Sequence, residues 1–228
     1  MDKIATLPKT LRETLVKSDL SSVIVDSAEI GIDRLLLSDG LLKEIPIVSS
    51  VVSIIKTTQS ISNHLFLKKI VSFLVGLKDI PSSMREAMIT KVEESKKYRN
   101  KVGEQLLFIL DHCEDDIKAE YISYWFGAFL KEEISYTDFL KGASAINNMA
   151  TEDFESFIDD SIDLYLDNSV YIGAGLLFMT MDDVSVKNAV IGDWDDEPKL
   201  MVTGGQLEVN YTDLGNKIKK VFKQRKQN

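Results

Sequence analysis

Apolar positions recur every three or four residues through most of the first 165 residues, a period that predicts a succession of amphipathic helices. Leu7, Leu11, Leu15, Val16 and Leu20 form the first stripe, with Pro8 where a first helical turn tolerates it. Val23, Ile24, Ala28, Ile30, Leu35 and Leu36 suggest a second helix ending near Ser38-Asp39-Gly40, although the β-branched Val23-Ile24-Val25 leaves a strand open there. Pro46 presets a first turn for a helix running from about Ile47 through Lys56, and Ser62 or Asn63 can cap another reaching Leu77. Lys78-Asp79-Ile80-Pro81 stops it.

Met84 to Tyr98 is charge-rich with Met84, Met88, Ile89 and Val92 on one side, the pattern of a surface helix with a narrow buried stripe. Lys101 to Cys113 and Asp115 to Leu130 read as a tightly packed antiparallel helix pair. Ser135 and Asp138 have the spacing of a reciprocal helix cap, opening a helix through Met149, and Thr151 opens another through Leu166.

Near Asn168 the pattern changes. Val170 to Met181 carries no charge and reads as a buried helix whose Gly173 and Gly175 permit close backbone packing, followed by the acidic, turn-prone Asp182 to Pro198. Lys199 to Tyr211 then places two short alternating runs around Gly204-Gly205, the signature of a tight β-hairpin. Thr212 can cap a last helix from Asp213 to about Gln224. The fold class is therefore mainly α: a helical bundle over 1–150 and, over 151–228, a small α+β module with one hairpin and a basic terminal helix.

Charge sharpens this picture. The chain has 228 residues and a formal net charge of −9, and the segment from Thr151 to Asp213 holds fifteen acidic residues against Lys187 and Lys199. Leu214 to Asn228 holds six basic residues and no acid. An acidic block beside the hairpin argues against duplex binding, which draws on phosphate contacts from Lys and Arg. One cysteine, Cys113, excludes a disulfide framework, and with no secretory pattern at the start the expected home is a reducing cytoplasm.

Candidate chemistry is sparse. Asp111, Cys113 and Asp115 fall at the first, third and fifth positions of a calcium loop, but Asp116 replaces its glycine and Ile122 its bidentate glutamate. His64 and His112 lack any partner at ligand spacing, and Cys113 diverges from His112 by about 100° on a helix, so neither a metal site nor a Cys/His pair is expected. Gly173-Ala-Gly175 lacks the Lys-Ser/Thr of a phosphate loop. No catalytic, cofactor or metal residues are assigned, and a non-enzymatic protein is expected.

Interaction is the remaining class. Ile45 to Ile55 and Thr57 to Leu67 are eleven-residue runs without charge, separated by Lys56, and helices apolar nearly all round lie deep in a core or meet a hydrophobic partner. Ile47, Val48, Val51, Ile54, Phe66 and Phe73 are the candidate contact residues there. Trp194, Asp195 and Asp196 are the candidates in the acidic C-terminal module. Self-association or a protein partner is expected, nucleic acid is not, and membrane contact is the lesser alternative because Lys56, Lys68 and Lys69 would each cost about 2.5–3.5 kcal/mol at a bilayer centre.

Two stretches carry resemblances. Ile45-Pro-Ile-Val, Phe66-Leu-Lys-Lys-Ile and Phe73-Leu, followed by Leu110-Asp, Ile117-Lys-Ala and Ile134-Ser-Tyr, resemble a module of uncharacterised bacterial proteins, some linked to phage defence. Val209-Asn-Tyr211-Thr-Asp-Leu-Gly215 is similar to the last strand and following helix of winged-helix domains, which often read Tyr-x-Leu-Thr-x-Leu-Gly. Here Asn210 stands directly before Tyr211, so the pattern's leucine is missing. These resemblances imply a bacterial, antiviral setting and a winged-helix-like C-terminal segment. The helix at its recognition position, Val170 to Thr180, offers no Arg or Lys, which implies protein contacts in place of DNA.

Overall fold

The structure, a computed structural model, describes residues 4–20, 44–58, 61–95, 101–162, 168–189 and 199–225. A short turn at Ile4–Thr6 leads into α1 (Leu7–Lys17), α2 (Pro46–Thr58), α3 (Ile61–Gly76), α4 (Ser82–Glu93), α5 (Val102–Asp111), α6 (Asp116–Leu130), α7 (Tyr136–Asn148) and α8 (Thr151–Ile158). There follow α9 (Ser169–Gly173), β1 (Leu177–Met181), β2 (Ser185–Ala189), β3 (Lys199–Thr203), β4 (Leu207–Tyr211) and α10 (Asp213–Arg225). The chain is thus mainly helical with a small C-terminal α+β region, as its periodicity predicts. The helix expected between residues 21 and 40 lies outside the described residues.

The bundle is built around α6. Ile122, Trp125, Phe126 and Phe129 bury completely, and α6 lies along α3 with the Phe73 and Phe126 rings 5.8 Å apart. The two helices approach closely because Gly76 faces Ser123, where any Cβ would overlap the serine hydroxyl. Trp125 occupies the space opposite Gly142 of α7 and donates its indole N–H to the carbonyl of Phe139 at 3.1 Å. The expected pairing of the 101–113 and 115–130 helices is corrected: α5 packs mainly on α1, and α6 on α3 and α7. A helix apolar nearly all round needs neighbours on every side, and one antiparallel partner cannot supply them.

Helix ends follow local chemistry. Ser135 Oγ accepts from the Asp138 N–H at 3.1 Å while Asp138 accepts from the Ser135 N–H at 3.2 Å, so both halves of the expected cap form. Asp115 caps α6 by accepting from the Lys118 N–H at 2.8 Å. The helix expected to reach Leu166 stops at Ile158, because Asp160 takes a left-handed φ of 56° that a helix cannot continue through.

Arg85 and Lys118 are buried cations of the bundle, and Arg85 is the one held by main-chain carbonyls. Its guanidinium donates to the carbonyls of Leu15 at 2.7 Å and Ile80 at 2.5 Å, and to that of Ser18. It thereby satisfies the carbonyls that the C-terminal end of α1 leaves without helical partners. Met84, expected on the buried stripe, is 40% exposed, and Arg85 takes the inward position.

The region after Asn168 corrects two expectations. The uncharged run from Val170 is helical only through Gly173, turns at Gly175 with φ 74°, and continues as β1. A Cβ at Gly173 or Gly175 would meet nothing within 4 Å, so close packing does not explain either glycine. The strands flanking Gly204-Gly205 do not pair with each other: β4 pairs antiparallel with β1, and β3 with β2. The register is the same in both pairs, Leu177 opposite Tyr211 and Ala189 opposite Lys199, and the Asp182 N–H donates to the Gln206 carbonyl at 3.0 Å between them. The hairpin is therefore one long two-stranded arm, interrupted midway at 182–184 and 204–206, whose connection at 190–198 lies outside the described residues. Gly204 (φ 90°) and Gly205 (φ 75°) make the interruption, and a Cβ on Gly204 would collide with the Asp183 carbonyl.

Candidate interaction surface

The described contacts that fix the arm to the bundle lie at the root of β1 and β4. Thr212 grips the chain entering β1: its backbone N–H donates to the Leu176 carbonyl at 2.9 Å and its hydroxyl to the Gly175 carbonyl at 2.8 Å. The same hydroxyl accepts from the Gly215 N–H at 3.0 Å and so caps α10. Leu176 and Leu177 are buried, and Tyr211 meets Phe157 with ring centroids 5.9 Å apart. α10 then inserts Ile218 and Phe222 into the bundle, where Phe222 contacts Tyr121, Tyr124 and Phe154. The core consequently runs unbroken from Leu7 to Phe222.

The cations of α10 are largely engaged within the chain. Lys217 pairs with Asp138 at 3.1 Å and Asp213 at 2.7 Å. Lys219 pairs with Asp160, donates to the Tyr211 hydroxyl at 3.0 Å and lies 4.2 Å from that ring's centroid. Arg225 stacks over Tyr124 at 3.5 Å, and its partial desolvation lowers its pKa. Lys217 and Lys219 thus balance acids of their own chain.

Along the arm, burial falls away quickly. Residues alternate between its faces, and cross-strand partners share a face, so Leu177, Met179 and Met181 stand with Tyr211, Val209 and Leu207. All six are apolar. Leu177 at the root is 2% exposed, whereas Met179, Met181 and Leu207 are 54%, 62% and 68% exposed. Beyond the interruption Val186 opposes Val202, both exposed, while Ser185 and Thr203 share a hydrogen bond of 2.7 Å on the other face, where Met201 is also exposed. Eight of the thirteen exposed large apolar residues named among the described residues belong to this arm. Single exposed apolar side chains are ordinary, but a concentration of them marks a contact surface.

The residues expected to make contacts lie elsewhere. Ile47, Val48, Val51, Ile54 and Phe73 are buried by the chain's own helices, and Phe66 is half-buried. α2 is held in place by the Ile47 N–H donating to Thr14 Oγ1 at 3.1 Å, and it packs between α1 and α3. No helix among the described residues is long and apolar enough to cross a membrane. Trp194, Asp195 and Asp196 lie outside the described residues. What sequence reasoning passed over is the exposed set Phe178, Met179, Met181, Val184 and Val186. The signal available was the alternation of Leu177, Met179 and Met181 inside a run taken as helix.

Among the described residues no three His, Cys, Asp or Glu side chains converge as metal ligands. A cleft of about 720 Å³ between the C-terminal ends of α3, α6 and α10 mixes Lys78, Lys131 and Arg225 with Asp79 and Glu133 and has no dominant charge. Cys113 is buried, its thiol donating to the Asn147 side-chain oxygen at 3.3 Å, and burial pushes its pKa from 9.0 up to about 11. Less thiolate forms at any pH below that value, so at pH 8 iodoacetamide is expected to alkylate Cys113 at least about 100-fold more slowly in the folded chain than in urea. Equal rates would show that the thiol is neither buried nor shifted. Comparison with protein families, curated proteins and solved structures finds no match to this chain.

Proposed function

We propose that this chain is a non-enzymatic binding protein of a bacterial system and that its β-arm is the contact surface. The observation that carries this reading is the arm itself: a two-stranded ribbon whose exposed apolar side chains, beyond its root, are covered by no other element among the described residues. A lone two-stranded ribbon is marginally stable in water and gains from a third element. Covering its side chains would supply the hydrophobic part of an association energy.

Protein is the class of partner that fits. From Ala174 to Thr212 there are seven acidic and two basic residues, which repel the phosphates of nucleic acid or of anionic lipid. The resemblance of the 45–77 region to bacterial modules linked with phage defence supplies the setting in which such a partner would be sought.

Photo-crosslinking in cells tests this. Benzoylphenylalanine at Met181, Val186 or Met201 is expected to trap a discrete protein adduct, another chain or a second copy, while the same residue at the exposed Glu86 on α4 traps none. Identical profiles at the arm and at Glu86 would remove the arm as a contact surface.

A further inference from the structure

We propose that the arm binds an extended segment of another protein, with Lys or Arg alternating with aliphatic residues, which adds as a third strand along the outer edge of β1 and β2, residues 178–186. This deepens the reading above and rests on it.

Each strand has a single strand partner among the described residues, β1 with β4 and β2 with β3, so no described strand pairs with the outer edge of any of them. The two outer edges are not equivalent. Along β3 and β4 the backbone is broken by Gly204 and Gly205 at φ values of 90° and 75°, which are not extended and cannot continue a ladder. The β1–β2 edge also lapses from strand at 182–184, but it contains no glycine and no positive φ. From Leu177 to Val186 it also lacks the proline, lysine and arginine with which native edges are usually blunted. Phe178, Met179, Met181, Val184 and Val186 are all exposed along it.

Charge selects among occupants. Asp182 and Asp183 sit at the middle of this edge, exposed, and neither carboxylate has a cationic partner among the described residues. Two copies pairing this edge antiparallel about its midpoint would set Asp182 against Asp182, and like charges directly opposed destabilise a ladder. The same pair repels acidic peptides and phosphate surfaces. Neighbouring residues point to opposite faces, so a strand with Lys or Arg alternating with aliphatic residues sets its cations on the face of one of the two aspartates and its aliphatic side chains on the other face, with main-chain hydrogen bonds supplying the rest.

Fluorescence anisotropy on the full chain at low salt, with a short alternating valine–lysine peptide and its valine–glutamate counterpart, tests the proposal. The lysine peptide is expected to bind at least roughly tenfold more tightly than the glutamate peptide, and Asp182→Lys with Asp183→Lys should reverse that preference. On binding, amide hydrogen exchange should slow over 178–186 and not over 202–210. Equal binding of the two peptides, binding of neither, or protection anywhere other than 178–186 overturns the cationic third strand. Crosslinks from the arm in cells alongside such a failure would leave the contact surface standing with an occupant of different chemistry, whereas loss of both removes the surface itself.

Discussion

Replacing Arg85 with methionine is expected to cost about 3–5 kcal/mol of folding stability and to lower Tm by roughly 10 °C. The side-chain stem would still pack, but the carbonyls of Leu15, Ile80 and Ser18 would lose their donors inside the bundle, where Arg85 is only 1% exposed. Burial lowers the arginine's pKa, an effect that Asp19 opposes, yet the group stays charged because a guanidinium's ordinary pKa lies far above neutral. Stability from this contact is therefore flat from neutral pH through the range in which the protein would be handled. Lysine at the same position keeps the charge and loses the planar fork that reaches three carbonyls, so Arg85→Lys should recover no more than about half of the loss. Urea unfolding of the two variants checks both figures; a loss below about 1 kcal/mol for the methionine variant would mean that water already satisfies those carbonyls.

Arg85 also shows where sequence reasoning stops. The stripe Met88, Ile89 and Val92 was legible, and all three are buried. What places Arg85 inward is the end of a helix some seventy residues earlier, and no local pattern announces carbonyls waiting at such a distance. The caps at Ser135 and Thr212 were legible because the hydroxyl and the backbone N–H that donates to it lie three residues apart. The early end of α8 was not, since Asp160 tolerates either the helical or the left-handed conformation and its surroundings choose.

The arm hid for a related reason. An uncharged run such as Val170 to Met181 suits a buried helix and a strand equally well, and only Gly175 and a partner strand some thirty residues later decide between them. The positive φ values of Gly204 and Gly205 were legible as conformation but not as position. They mark an interruption inside the ribbon because the register with β1 and β2 carries the pairing past them. The candidate surface was missed on another count: periodicity assigns apolar residues to a core by default, and residues such as Met181 and Leu207 are apolar without one.

Gly215→Ala is expected to cost about 2–3 kcal/mol, despite the roughly 1 kcal/mol that alanine contributes over glycine inside a helix. The new methyl would overlap the Leu176 carbonyl oxygen and press on the Phe157 ring. That carbonyl is the one the Thr212 N–H and hydroxyl hold, at 2.9 Å and 3.2 Å, so relief requires α10 and the root of β1 to part. The damage should be local: amide exchange should quicken in β1, β4 and the first turn of α10, while α3 and α6 keep their protection. Gly173 is the control, since its Cβ would meet nothing and its backbone is not left-handed, so Gly173→Ala should be neutral or stabilising by up to about 1 kcal/mol. If the two alanines behave alike, the root of the arm is not set by close approach of α10 to Leu176. If they differ as expected, crosslinking from Met181 should weaken in the Gly215 variant and not in the Gly173 variant, which would tie the presentation of the arm to the way it is mounted on the bundle.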